Sequence, residues 1–166
     1  MTAEVDRIPA GRTLSAEDLD ALPYVDQVFK ESLRLYSPIH SLSRVALEDC
    51  ELGGYSVPKG ATVMVSLYAS HRLPQYWPEP ERFDPERFCA AQSSARHRFA
   101  YLPFAAGHRN CIGALLAGME AKLIIAQIAR RFKLRLLTRA PVKPRAGTTM
   151  HPAREIHMRI ESRAPG

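Results

Sequence analysis

The stretch FAAGHRNCIG, Phe104 to Gly113, sets one cysteine among glycines, an arginine and a phenylalanine, directly ahead of a long apolar segment. That segment, over residues 112–132, is rich in helix-forming residues and apolar on most faces. Charged and polar residues interrupt it too often for a membrane span, so the pattern predicts a long, buried core helix. Taken alone, Cys111 fits a small buried hydrophobe better than a ligand, and partners elsewhere in the chain must decide its role.

Composition limits the classes of protein that this sequence fits. The chain has 166 residues, 46% of them hydrophobic, which suits a single globular segment over residues 1–166. The three cysteines, Cys50, Cys89 and Cys111, form no CxxC pair, which excludes a zinc ribbon and a disulfide framework. The first twenty residues contain acids and no apolar run typical of a signal peptide or membrane anchor, so we expect a cytoplasmic protein.

The basic charge is a weak indication of function. The formal net charge is +6, but lysines and arginines are spread along the chain. This charge suits an acidic protein partner or a nucleic acid equally well. A zinc or nucleic-acid module fits poorly because the cysteines and histidines lack metal-ligand spacing. We therefore expect no nucleic-acid partner.

Two helices are predicted in the first part of the chain. Ser15 followed by Asp18 indicates a capping box for a short first helix. Apolar residues at helical spacing predict a second helix over residues 21–36, with Pro23 in its first turn. The helix should stop before Pro38, because the residue ahead of a proline avoids the helical conformation.

Strand and loop signals dominate on either side of the cysteine stretch. Residues 45–67 predict a small antiparallel sheet, with turns at Gly53-Gly54 and at residues 58–60. Residues 74–111 begin with a proline-rich, aromatic-anchored loop that excludes a long helix. Residues 133–166 predict C-terminal strands, since apolar and polar residues alternate there: Ile156, Met158 and Ile160 against His157, Arg159 and Glu161.

Two arginines and a glutamate stand out by position. Glu31 and Arg34, in the motif ESLR, are three residues apart and so share one face of the second helix. On spacing alone they fit a solvated ion pair worth less than about 1 kcal/mol. Arg87, in the motif PERF, fits an exposed loop arginine. Each signal is weak by itself, and only their order along the chain gives them weight.

In this order, the motifs ESLR, PERF and FAAGHRNCIG resemble those of the cytochrome P450 family of haem-thiolate monooxygenases. The stretches GGYSVPKGATV and ASHR are also similar to the family. The resemblance runs from about Leu22 to the C-terminus. It implies the C-terminal part of the family's fold, incomplete in this chain: mainly α with small antiparallel β-sheets (α+β).

The resemblance implies a haem cofactor with Cys111 as the axial iron ligand. A thiolate ligand must be deprotonated, and a helix N-terminus with backbone N–H donors favours that state. Gly107 and Gly113 would let the backbone turn tightly and approach a flat macrocycle, and Phe104 would shield the sulfur. Arg109 is expected to contact a haem propionate through a charge-assisted hydrogen bond. Arg44, just ahead of the predicted sheet, is a second candidate for this contact.

The resemblance also assigns structural and surface roles. It implies that Glu31, Arg34 and Arg87 form a buried, hydrogen-bonded structural triad. Residues 38–42 and 148–150 correspond to segments that line the pocket for a small organic substrate. An electron-donor reductase or ferredoxin would dock on a basic face near the cysteine loop. A solvated basic loop is an equal alternative for the residues of that face, which are Arg96, His97, Arg98 and His108.

The chain departs from the family in one residue and in length. Ala105 occupies a position where glycine or a small polar residue is usual, so its φ must be acceptable or the loop must shift. We expect the central oxygen-activating helix to be absent, and therefore assign no catalytic residue. The implied reaction inserts one atom of O2 into an organic substrate. The alternative is a truncated, non-catalytic fragment that is a remnant or needs an N-terminal cytochrome P450 chain.

Overall fold

The computed structural model describes residues 1–9, 12–138 and 141–163. The helices are α1 (Thr2–Val5), α2 (Pro23–Tyr36), α3 (Leu67–Ser70), α4 (Ala90–Ala95) and α5 (Ala114–Arg131). Short 3₁₀ helices cover Ala16–Ala21, Pro85–Phe88 and Gly107–Arg109. The strands are β1 (Ser41–Val45), β2 (Cys50–Leu52), β3 (Tyr55–Val57), β4 (Thr62–Ser66), β5 (Phe132–Leu136), β6 (Pro144–Arg145), β7 (His151–Pro152) and β8 (Met158–Ser162).

The start of α2 is fixed by a side chain from the N-terminal segment. Pro23 occupies the first turn, where its missing N–H leaves no helical hydrogen bond unmade. The Glu4 carboxylate of α1 accepts hydrogen bonds from the N–H groups of Tyr24 and Val25, at 2.8 and 3.0 Å. It thereby satisfies two of the free donors at the helix start. Before α2, Ser15 begins the first 3₁₀ helix with the predicted capping box.

Four separate two-stranded antiparallel sheets are present within the described ranges. The region predicted as one small sheet over residues 45–67 forms two antiparallel pairs. β2 and β3 form a hairpin, and β1, which precedes them in the chain, pairs with β4, which follows them. Gly53 and Gly54 have φ values of +58° and +86°, which suit the tight turn between β2 and β3. Pairing begins at Ser41, so Arg44 lies inside β1 opposite Val63, not ahead of the sheet as expected.

Buried apolar side chains form two clusters. The first lies between the N-terminal segment, α2 and α5, and contains Val5, Ile8, Leu14, Leu19, Leu22, Val25, Ala126 and Ala129. The second anchors the proline-rich loop and contains Trp77, Phe88 and Ala100, with Tyr76 and Tyr101 packed against it. The loop therefore has its own aromatic core, as its composition predicts.

The prediction that α5 is a buried core helix is wrong for most of its surface. Only Ala126 and Ala129 of this helix are buried. Leu115 and Leu116 in its first turns are 77% and 60% exposed. The helix packs on α1, α2, the first 3₁₀ helix and β5, while several of its apolar side chains, among them Leu115, Leu116 and Ile124, remain exposed.

The C-terminal strand shows the same departure. β8 pairs with β5 as a strand, but Ile160 on its apolar side is 65% exposed and polar Glu161 is partly covered. The alternation of apolar and polar residues predicted the strand, but it did not show which surface covers the strand's apolar side. Among the described residues, no helix is long and apolar enough to cross a membrane.

Candidate functional site

The cysteine loop closes on itself through backbone hydrogen bonds. The Cys111 N–H donates to the Phe104 carbonyl at 2.9 Å, and the Asn110 N–H donates to the Gly107 carbonyl at 3.1 Å. Gly107 has a φ of +69°, a left-handed conformation that glycine adopts without steric cost. These bonds hold Cys111 at the end of a tight turn, with its side chain exposed.

Ala105, a departure from the residue usual at this position in the family that the motifs resemble, adopts a left-handed conformation. Its φ is +65°, which is uncommon for a residue with a Cβ atom. Its N–H donates to the Leu102 carbonyl at 3.2 Å, so a hydrogen-bonded turn holds it there. The loop therefore holds Ala105 in a strained left-handed conformation within a hydrogen-bonded turn.

The sulfur of Cys111 lies close to the N-terminus of α5. A Cβ atom built on Gly113 would lie 3.9 Å from the Cys111 Sγ atom, an ordinary contact distance. Gly113 has a φ of −84°, so this glycine is not required by its backbone conformation. The free N–H groups at the start of an 18-residue helix stabilise negative charge on a nearby sulfur.

An apolar surface surrounds the sulfur. Ile112 follows the cysteine directly and is fully exposed, and Leu115 and Leu116 lie in the first turns of α5. Phe104 is partly buried at the other end of the loop. A soft sulfur donor beside a helix N-terminus and an apolar surface suits a large, flat, apolar metal-containing group such as haem. Within the described residues, no cluster of three or more His, Cys, Asp or Glu side chains forms another metal site.

Glu31 and Arg34 are a fully buried ion pair, not the solvated pair that their spacing alone suggests. The Arg34 Nε and Nη2 atoms donate to the two oxygens of Glu31 at 2.7 and 2.9 Å. Both side chains have 0% exposure. The remaining guanidinium donors bind the carbonyls of three loop residues, which are His71, Pro80 and Arg82. Arg34 thus uses all five of its N–H donors.

Arg87 joins this pair less tightly than the expected hydrogen-bonded triad implies. Its Nε atom lies 3.6 Å from the Glu31 carboxylate, beyond good hydrogen-bond geometry, and has no hydrogen-bond partner among the described residues. The Arg87 Nη2 atom donates instead to the Glu79 carbonyl at 3.0 Å. Glu79 has a φ of +49°, so a strained backbone holds this carbonyl. The structure therefore brings Glu31, Arg34 and Arg87 together, with the third member as a close ion pair.

Three residues that sequence reasoning did not single out support the approach to the cysteine loop. Tyr101 donates its hydroxyl hydrogen to the Lys30 carbonyl of α2 at 2.9 Å, and burial raises the pKa of its phenol. His71 accepts the Leu102 N–H at 2.9 Å, and burial lowers its pKa to about 4. Trp77 is fully buried under them. His71 carried a signal in the sequence within the family-like stretch ASHR, and Trp77 carried one as an aromatic residue of the proline-rich loop, but Tyr101 carried none.

The basic residues expected on a docking face have different surroundings. Arg96 is partly buried, with its guanidinium 4.0 Å from the centre of the Trp77 ring and its Nη2 atom bonded to the Arg87 carbonyl at 2.6 Å. It braces the loop core and is not a free surface charge. The other three, His97, Arg98 and His108, are exposed.

The two segments expected to line a substrate pocket lie together. The Met150 N–H donates to the Pro38 carbonyl at 2.7 Å, and the His40 ring donates to the Gly147 carbonyl at 3.0 Å. A cavity of about 370 Å³ lies beside them, lined mainly by apolar atoms of the residues Tyr36, Val142, Pro144, Met150, Pro152 and Ile156. The two expected propionate ligands, Arg44 and Arg109, are both exposed.

Several proteins are similar in sequence to most of this chain. Cytochrome P450 4V2 from Mus musculus is 50% identical over 121 residues, which cover 73% of this chain and 23% of that protein. Cyclooctat-9-en-7-ol 5-monooxygenase from Streptomyces melanosporofaciens is 45% identical over 148 residues, covering 89% of this chain and 30% of that protein. The chain therefore spans about a quarter of the length of the curated relatives it matches.

The fold agrees with these relatives. The crystal structure of the cytochrome P450DA heme domain superposes with a TM-score of 0.91 at 32% identity, over 99% of this chain and 36% of that one. This confirms the predicted fold class, helices with small antiparallel sheets that form part of a larger fold. The profile of the family described as Cytochrome P450 matches residues 1–158, and the chain belongs to this family.

Proposed function

We propose that this chain provides the thiolate side of a haem monooxygenase site, with Cys111 as the axial ligand of the iron. The observation that carries the proposal is the exposed Cys111 sulfur at the N-terminus of α5, in a loop closed by the 2.9 Å bond to Phe104. When bound, thiolate-ligated haem would activate O2 with two protons and two electrons from a reductase or ferredoxin, so that one oxygen atom enters an organic substrate and the other leaves as water.

In this proposal the residues around Cys111 would hold the cofactor. Gly113 would let the start of α5 approach a flat ring, and Gly107 provides the turn before the cysteine. Phe104 would shield the sulfur from the loop side once the cofactor is bound. Arg109 and Arg44 are exposed, and their guanidinium groups would make charge-assisted hydrogen bonds to the carboxylates of the cofactor, although one Arg44 nitrogen also donates to the Ser43 carbonyl at 2.8 Å.

The buried network has a structural role in this proposal. Glu31 and Arg34 join α2 by hydrogen bonds to His71 and to residues 80–84, and Arg87 adds a close positive charge. Among the described residues, no hydrogen bond or ion pair of this network involves Cys111. The network therefore acts on the cysteine only by placing the loop. Removing one partner leaves a buried charge unpaired, which typically costs about 3–5 kcal/mol.

Substrate and electron-donor sites follow from the remaining geometry. Residues 38–42 and 148–150, joined by the Met150–Pro38 hydrogen bond, would form one side of the pocket for a small organic substrate, since Met150 lines the adjacent cavity. Arg98 gives exposed positive charge and His97 and His108 are exposed as well, and we assign to this face the docking of an acidic reductase or ferredoxin. Arg96 is left out of this surface because it packs on Trp77.

The exposed apolar side of α5 favours a second candidate. Leu115 and Leu116 are 77% and 60% exposed in the first turns of α5, and exposed apolar side chains of this kind mark an interaction site where they form a patch. In this second candidate the chain is non-catalytic until an N-terminal cytochrome P450 chain covers that patch. The two candidates share the thiolate ligand and differ in whether the chain turns over substrate alone.

A carbon monoxide difference spectrum tests the thiolate ligand. The haem-loaded chain is reduced with dithionite and exposed to carbon monoxide, beside Cys111→Ala. Cys50→Ala and Cys89→Ala are matched controls, because each removes one other free cysteine. The red-shifted Soret band of a thiolate-ligated ferrous carbonyl should be lost only in Cys111→Ala. A band that survives in Cys111→Ala rejects the proposal. Turnover with and without an added N-terminal chain separates the two candidates.

A further inference from the structure

His71 joins the buried ion pair on α2 to Leu102, a residue 31 positions further along the chain than His71 itself. It follows the last residue of α3 and is completely buried. Its backbone carbonyl accepts a hydrogen bond from Arg34 Nη1 at 2.8 Å, and its ring Nε2 accepts the Leu102 N–H at 2.9 Å. One residue thus contacts both the buried ion pair and the segment that leads to the cysteine loop.

Leu102 stands at the entrance to that loop. Its carbonyl accepts the Ala105 N–H at 3.2 Å, and two residues further along the Phe104 carbonyl accepts the Cys111 N–H. A series of hydrogen bonds therefore runs from Arg34 through His71 and Leu102 to the turn that holds the cysteine. The neighbouring Tyr101 is anchored separately, through its hydroxyl, on α2.

We propose that His71 is a positioning residue, whose neutral imidazole transmits the placement of the Glu31–Arg34 ion pair to the Cys111 loop by accepting the Leu102 N–H. The inference rests on the proposed role of Cys111 as the haem ligand. His71 acts through the backbone and does not touch the reacting groups. We expect His71 to affect the fraction of molecules in which the Cys111 sulfur is positioned to ligate the iron.

The surroundings of the ring keep it in the accepting state. Because Nε2 accepts a hydrogen bond, the proton of the neutral ring is on Nδ1, which has no hydrogen-bond partner among the described residues. The charged groups that face it, Arg34 and Arg72, are both positive, and the third titratable neighbour, Tyr101, is neutral. Burial and these charges oppose a second proton, which would set two N–H donors against each other.

The test compares three variants of the haem-loaded chain. His71→Leu removes the acceptor, and His71→Gln keeps one, since the glutamine amide oxygen reaches about as far as Nε2. His157→Leu is the matched control, because the His157 ring is exposed, lies 3.4 Å from the Glu155 carboxylate within its own segment, and has no part in the proposed site. Each variant is measured by hydrogen exchange of the Leu102 amide and by the carbon monoxide difference spectrum.

We expect the Leu102 amide to exchange about tenfold faster or more in His71→Leu, because the His71 ring is its only hydrogen-bond partner among the described residues. The thiolate-ligated carbonyl band should fall, with a matching rise of the blue-shifted band of haem without thiolate. His71→Gln should restore both readouts to near wild type, and His157→Leu should change neither.

Wild-type exchange and a full thiolate band in His71→Leu would overturn the inference. If His71→Leu does not fold, His71→Gln decides: a folded Gln variant with a protected Leu102 amide supports the proposal, and an unprotected amide rejects it. A wild-type chain that gives no thiolate band refutes the proposed function, while Leu102 exchange still decides the hydrogen bond.

Discussion

Replacing Arg34 by lysine should destabilise the fold far more than a conservative change of charge suggests. The Arg34 guanidinium donates to both Glu31 oxygens and to the carbonyls of His71, Pro80 and Arg82. Lysine keeps the charge but has only three donors on one nitrogen. At least two of the five acceptors would lose their partner in a site with no exposure.

The magnitude follows from burial. Each buried acceptor left without a partner costs about 1–3 kcal/mol, so Arg34→Lys should lower the free energy of unfolding by about 3–5 kcal/mol. A matched pair lies on the same helix: Lys30 contacts Asp26 at 2.7 Å, but the two side chains are 42% and 28% exposed. Lys30→Gln should cost no more than about 0.5 kcal/mol, because water screens this pair.

Urea unfolding of the haem-loaded chain, followed by circular dichroism, measures both changes. The expected result is a large drop in the midpoint for Arg34→Lys and almost none for Lys30→Gln, with similar slopes. Losses of similar size in the two variants, or a loss below about 1 kcal/mol for Arg34→Lys, would refute the argument that burial gives this pair its structural weight.

Three further results are expected. Gly107→Ala should lower the free energy of unfolding by about 1–2 kcal/mol, because alanine is strained at a φ of +69°. Gly113→Ala should change the free energy of unfolding by no more than about 0.5 kcal/mol, but it should weaken haem binding in a titration. Tyr101→Phe should cost about 1 kcal/mol in urea unfolding, the value of its hydroxyl bond to α2. Burial lowers the pKa of His71 from 6.5 to about 4 in the folded chain. The unfolded chain therefore takes up the proton first as pH falls, and the free energy of unfolding of wild type should fall by up to about 3 kcal/mol through this window. A pH series of unfolding curves should show that component missing in His71→Gln, and an identical pH dependence in both proteins would contradict the assignment.

The sequence by itself identified the features that depend on neighbouring residues. Helix α2 has apolar residues at helical spacing between two prolines, and the Gly53-Gly54 pair marks a tight turn. The order of ESLR, PERF and the cysteine stretch identified the family, which the match over residues 1–158 confirms. These signals are local, because backbone preferences act over a few residues.

Only the tertiary structure decided how distant segments meet. The 3.6 Å separation of Arg87 and Glu31, the packing of Arg96 on Trp77 and the bond from Leu102 to His71 each join residues far apart in the chain. The exposure of α5 belongs here too. A helical pattern shows that a face is apolar, but burial depends on which other surface lies against it, and spacing along the sequence does not contain that contact.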